Sequence, residues 1–176
     1  GNIPSFTAVN TGVSPVTAII TVTAVYTNAG ITCTGNSQSF TIVVNPTPTV
    51  NPVANQVLCN GSNTAAVNFT GSVPGTIYNW TNNNTSIGLA AAGAGNIASF
   101  VATNATNVAQ TATITVTPNF SNTVTCAGTP ITFTITVNPI PTVNPVANQT
   151  VCAGTTVTQA FTGTVAGTVY SWTNSN

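Results

Sequence analysis

Few side chains in this sequence could do chemistry. They are four cysteines, Cys33, Cys59, Cys126 and Cys152, and three tyrosines, Tyr26, Tyr78 and Tyr170. Lys, Arg, Asp, Glu and His are all absent from the 176 residues. General acid–base catalysis needs a group that titrates near the working pH, and a Ser or Cys nucleophile needs a base beside it. Calcium sites draw mostly on carboxylates, and zinc sites on clustered Cys and His. The cysteines lie too far apart for a zinc spacing. Lysine–asparagine isopeptide cross-links, which reinforce some fibres, require a lysine. The sequence therefore reads as no enzyme, with no catalytic, cofactor-binding or metal site and no cofactor. Any reinforcement must come from disulfides, β-ladders and packing.

The empty charged class constrains partners as well. A typical globular chain carries about 25% charged residues; here Thr and Asn supply about a third of the chain instead. No basic patch can hold nucleic acid or anionic lipid. No apolar run approaches the roughly 20 residues that span a bilayer. The hydrophobic fraction is an ordinary 42%, so a core is expected rather than disorder. Gly1 is not followed by a positively charged stretch, so no signal peptide is read here.

What positions the few reactive side chains is an internal repeat. Thr49-Val-Asn-Pro-Val-Ala-Asn-Gln56 recurs as Thr142-Val-Asn-Pro-Val-Ala-Asn-Gln149, an offset of 93. Cys59 maps to Cys152 at that offset, and Phe69, Tyr78 and Trp80 map to Phe161, Tyr170 and Trp172 at 92. Gly1-Asn-Ile-Pro-Ser-Phe6 matches Gly95-Asn-Ile-Ala-Ser-Phe100 at 94, and Ile20-Thr-Val-Thr23 matches Ile114-Thr-Val-Thr117. Cys33 and Phe40 match Cys126 and Phe133 at 93. Residues 1–48 read as the C-terminal half of one repeat, 49–141 as a complete repeat, and 142–176 as the N-terminal half of the next. Such a window is most simply a piece of a longer array.

The periodicity is two. Ile131-Thr-Phe-Thr-Ile-Thr-Val137 alternates apolar residues with Thr, as do 111–117 and 65–69. That pattern marks strands with one face on a core and one in water, and β-branched Thr suits the wet face. Strands are expected at about 49–58, 63–70, 76–81, 97–103, 110–117 and 130–138. Leu89–Gly95 is too short and Gly-rich for a helix. Six or seven short strands in 90–100 residues is the immunoglobulin-like pattern. The fold class is all-β: tandem immunoglobulin-like β-sandwich repeats of about 93 residues. Core aromatics are expected at Phe6, Phe40, Phe69, Trp80, Phe100, Phe133, Phe161 and Trp172. Asn45-Pro-Thr-Pro-Thr-Val-Asn-Pro52 and its echo at 138–145 read as stiff extended joints.

The four cysteines are disulfide candidates and suggest an oxidising compartment. Pairing across the Pro joint would join Cys33 to Cys59 and Cys126 to Cys152, each pair centred on an Asn-Pro step. Pairing within a repeat would join Cys59 to Cys126. Opposite poles of a sandwich would keep both pairs apart and leave the thiols free or intermolecular. The cross-joint pairing implies an alternative frame, with units 1–80 and 95–176 joined by 81–94.

The segments Val57-Leu-Cys-Asn-Gly61, Phe69-Thr-Gly71, Gly75-Thr-Ile-Tyr-Asn-Trp80, Gly95-Asn-Ile-Ala-Ser-Phe100, Cys126-Ala-Gly128 and Phe133-Thr-Ile-Thr-Val-Asn-Pro139 carry a resemblance over essentially the whole chain. It resembles the PKD-like, immunoglobulin-like repeats of very large secreted surface proteins of Bacteroidetes. The resemblance implies an extracellular or cell-surface location in adhesins, gliding-type filaments or matrix fibres, with no catalytic residue. It also implies export by a route read from a C-terminal domain.

Charge is the usual guard on sheet edges, and its absence removes self-repulsion. The leading functional reading is a structural repeat of a fibre, filament or adhesin stalk whose partner is itself. The alternative is a module that grips surface glycans, with Tyr78 and Trp80 on one strand face. Asn68-Phe-Thr70 and Asn79-Trp-Thr81 have the form of glycosylation acceptors, which chance supplies readily in so Asn/Thr-rich a chain. Asn79 also falls on an expected core strand.

Overall fold

The computed structural model describes residues 1–175 and is almost entirely β. Eight strands form: β1 Val16–Asn28, β2 Ile31–Val44, β3 Gln56–Cys59, β4 Ile77–Asn82, β5 Ala92–Ala94, β6 Gln110–Asn122, β7 Val124–Ala127 and β8 Ile131–Asn138. The only helical segment among the described residues is one 3-10 turn, Thr85–Ile87. β1 and β2 make a two-stranded antiparallel ribbon; the other six strands form one sheet in the order β3-β8-β6-β4-β5, with β7 beside β6.

Alternation sets the faces of β6 and β8. Ala112, Ile114 and Val116 of β6 are buried, as are Phe133, Ile135 and Val137 of β8. The Thr residues between them face outward, where Thr111 and Thr136 share a hydroxyl hydrogen bond of 2.9 Å. β3 pairs with β8 in parallel, Gln56 beside Ile135 and Cys59 beside Asn138.

The ribbon repeats this register. Thr17 lies opposite Val43, the positions that match Thr111 and Thr136. Tyr26 opposes Cys33, and Phe120 opposes Cys126 in the β6–β7 pair. The tips differ by one residue: Ala29 (φ 48°) and Gly30 (φ 84°) turn the first, Thr123 (φ 57°) alone turns the second. The change of sequence offset from 94 to 93 is therefore a deletion at a hairpin tip, where it disturbs no register.

The structure departs from the sequence reading at several elements; the strand expected at 49–58 shortens to β3, Gln56–Cys59. Residues 63–70 and 97–103 form no ladder, only the isolated bridges Asn63–Val101 and Val67–Ile97. The reason lies at Thr64, which turns inward. Its hydroxyl accepts from the Phe100 N–H (3.1 Å) and donates to the Phe100 carbonyl (3.3 Å), and Ser99 donates to the Thr64 carbonyl (2.6 Å). Side-chain bonds thus compete with the ladder, while Val67, Phe69, Ile97 and Ala102 still reach the core. β5 and β7, too short for a periodic signal, add to the expected set. The first Asn-Pro stretch is extended, but it is packed rather than free: Pro46, Pro48 and Val50 are buried. The second stretch, from Ile140 onward, is exposed.

Packing divides the chain into two compact units, each made of discontinuous segments. One comprises Gly1–Asn51, Phe69–Asn79 and Val116–Ile131; the other comprises Pro52–Asn68, Trp80–Thr115 and Thr132–Asn176. The first is centred on Pro46, Pro48, Val50, Phe69, Val73, Val116 and Pro118. The second is centred on Trp80, Ile87, Ile97, Ile114, Phe133 and Ile135.

Candidate functional site

The aromatic positions separate into three groups. Phe69, Trp80 and Phe133 are buried; Phe100 and Phe161 are half-buried; Phe6, Phe40 and Trp172 are exposed. Core placement is thus corrected for the last three. Phe40 lies on the β1–β2 ribbon, and no second layer covers it among the described residues. Phe6 and Trp172 lie in segments with no ladder of their own. Within β4, the two-residue period turns Trp80 inward and leaves Asn79 exposed. An outward Asn79 removes the strand-burial objection to a glycan at that position.

Trp80 is held by Gly93 of β5: a Cβ there would overlap the indole ring. The indole N–H is buried with no hydrogen-bond partner. Ile87 is fully buried at the end of the 3-10 turn. Asn84 caps that turn by accepting from the Ser86 N–H (3.1 Å), and Gly88 (φ 95°) closes it by donating to the Thr85 carbonyl (3.1 Å).

A polar corner is built twice. The Asn51 N–H donates to the Thr70 carbonyl (2.8 Å), and the Asn51 amide donates to the Thr70 hydroxyl (2.9 Å). Thr76 donates to the Val73 carbonyl (2.6 Å), and the rings of Phe69 and Tyr78 lie 5.7 Å apart. Gly71 sits against the Thr49 carbonyl with the Tyr78 hydroxyl beside it. At 142–170 the same corner appears. Asn144 makes both bonds to Thr162 at 2.8 and 2.9 Å, Thr168 donates to Val165 (2.7 Å), and Phe161 and Tyr170 are 5.9 Å apart. Gly163 contacts Thr142 and Tyr170 as Gly71 contacts Thr49 and Tyr78. Burial pushes the Tyr78 phenol above its ordinary value of 10.0, so it stays neutral and serves as a packing and hydrogen-bonding group.

The cysteines form no disulfide in this structure. Cys33, Cys59 and Cys152 are exposed and Cys126 is half-buried, all as free thiols. Cys59 stands on β3 and Cys126 on β7. The clefts are shallow and uncharged. One, of about 470 Å³, is lined by residues that include Asn107, Val108, Asn138, Pro139, Pro141 and Val165. Nothing in it is poised for acid–base work.

The exposed surface with most character is the ribbon. Val16, Val22 and Phe40 of one ribbon face are exposed, with Ile20 and Ile42 half-covered between them. The opposite face mixes hydroxyls, with bonds between Thr21 and Ser39 (2.8 Å) and between Thr23 and Ser37 (2.6 Å), with the exposed Ile19 and Val43. Residues 56–141 match the PKD-like domain family. No curated protein and no solved structure matches the chain. The PKD-like match spans the strands from β3 to β8 and agrees with an all-β, immunoglobulin-like sandwich fold. Domains of this kind are typically extracellular and generally non-catalytic. No helix among the described residues is long and apolar enough to cross a membrane. Sequence reasoning missed the ribbon as a surface, because its apolar alternation is the same as that of the buried β6 and β8.

Proposed function

We propose that this PKD-like chain is a structural module of an extracellular array, a fibre, filament or adhesin stalk of the kind found in large secreted surface proteins. It works by reach and by self-association. One observation carries the reading: an uncharged surface that includes a regular apolar ribbon face. With no charged side chain to repel a neighbour or guard an edge, the exposed face favours contact with another copy. The buried Trp80 weighs against the glycan-gripping alternative, since sugar stacking needs an open ring face. Sedimentation and negative-stain imaging of the purified chain test the proposal. Concentration-dependent assembly, little altered by salt because no ion pairs contribute, is the expected result. A chain that stays monomeric at high concentration and neutral pH would overturn it.

A further inference from the structure

Asn60-Gly61 is the only Asn-Gly pair in the sequence. Asparagine is chemically labile, and a following glycine has no Cβ to shield its backbone nitrogen. The reaction open to such a pair needs only water. The Gly61 nitrogen attacks Cγ of the Asn60 side chain. The Cγ–Nδ2 bond breaks, and Nδ2 leaves as ammonia with the Gly61 amide proton. Water then adds to one of the two carbonyls of the five-membered imide. One opening gives aspartate; the other gives an isoaspartyl linkage, whose backbone is one carbon longer.

In the folded chain both reacting groups are held elsewhere. Asn60 and Gly61 are the central residues of a turn closed by the Ser62 N–H on the Cys59 carbonyl (3.1 Å), with Gly61 at φ 84°. The Gly61 N–H donates to the Ala102 carbonyl (2.8 Å), and the Asn60 side-chain oxygen accepts from the Asn104 N–H (2.9 Å). The Asn60 N–H donates to the Asn138 carbonyl (2.8 Å). The partners are fixed in turn. Ala102 is fully buried and donates to the Ser62 carbonyl (2.9 Å), while the buried Asn104 amide donates to the Val108 and Val137 carbonyls (2.8 Å each). Thr64 and Ser99 tie the same two segments together one step further along.

We propose that Asn60 is a modification site gated by opening. It is inert while 59–64 lies against 99–104, and it converts, with water as the only co-reactant, when the two segments part. Local opening of this kind precedes global unfolding in folded proteins. The product records the event. An isoaspartyl linkage inserts a carbon between the N–H groups bonded to Asn138 and to Ala102, so the two bonds cannot both be restored. Either product places a carboxylate, ionised at neutral pH, in a chain with no charged side chain of its own. The site does not depend on how copies associate.

The test follows the wild-type chain at mildly alkaline pH, with and without denaturant. Isoelectric focusing reads the new charge, and peptide mapping by mass spectrometry places it. In denaturant, Asn60 is expected to convert faster than the other asparagines. In the folded chain its rate is expected to be at least about tenfold lower. Thr64→Val removes the hydroxyl bonded to Phe100 and is expected to raise the folded-state rate several-fold, with circular dichroism checking that the variant folds. Ser99→Ala, which removes only the bond to the Thr64 carbonyl (2.6 Å), is the milder variant should Thr64→Val unfold. Equal rates with and without denaturant overturn the gate, as does a folded variant that converts no faster than wild type. A denatured chain in which Asn60 does not lead the other asparagines overturns the site itself.

Discussion

Gly71→Ala is the sharpest test of how the polar corner holds this fold. Gly71 has no positive φ, so its lack of a side chain answers space rather than backbone conformation. A Cβ there would overlap the Thr49 carbonyl oxygen and lie 2.7 Å from the Tyr78 hydroxyl. Backbone cannot yield as a flexible side chain does, so Thr49 and its neighbours must move. Overpacking of this kind costs about 1–3 kcal/mol. The displacement also strains the two Asn51–Thr70 bonds and the Ser72 N–H to Thr49 hydroxyl bond (3.0 Å). Each such bond contributes about 0.5–1.5 kcal/mol net, toward the low end where water competes. Against this, Ala restricts the unfolded chain and returns about 0.4–1 kcal/mol. The net loss is about 2–3 kcal/mol. At roughly 4–8 °C per kcal/mol for a compact unit of this size, the midpoint of thermal unfolding falls by about 8 °C or more. Trp80 emission and circular dichroism would follow it. Gly163→Ala supplies a matched control with the same overlap, on Thr142 and Tyr170, in a segment that builds no strand. It should leave the main transition where it was. A Gly71→Ala chain that melts within about 2 °C of wild type would refute the claim that Thr49 is wedged against this glycine.

Three further outcomes follow from particular side chains. Gly93→Ala drives a methyl into the Trp80 indole; a loss of about 2 kcal/mol or more and a red-shifted Trp80 emission are expected in denaturant titration. Tyr78 ionises less readily folded than unfolded, so its contribution is complete below pH 10 and is lost as pH rises through the higher folded value. The melting temperature should decline above about pH 10, and Tyr78→Phe should flatten that decline. In reduced protein, thiol reagents should modify Cys33, Cys59 and Cys152 quickly and the half-buried Cys126 more slowly. Equal rates at all four would count against the placement of Cys126 on β7.

Much of the fold was legible because alternation is a local signal. The Thr-spaced runs in β6 and β8 fix which side chains share a face, whatever lies above that face. The 63–70 segment alternates as well, yet Thr64 bonds to the Phe100 backbone and breaks the ladder. No period in the sequence announces a side chain that competes with its own strand. The same holds for the 45–52 joint: Pro predicts extension, but not that Pro46 and Pro48 are buried or that Gly128 packs against the Pro48 carbonyl.

By itself, the sequence determined that Lys, Arg, Asp, Glu and His are absent, and that Ile20-Thr-Val-Thr23 and Ile114-Thr-Val-Thr117 share one alternating pattern. Residue type and spacing suffice for both, since they concern what is present and how near neighbours alternate. Only the tertiary structure decided which hairpin is core. Ile20 and Ile114 sit in the same short sequence with the same cross-strand register, and one is half-exposed while the other is fully buried. Burial depends on which distant segment lies against a face, and that is a property of the assembled chain.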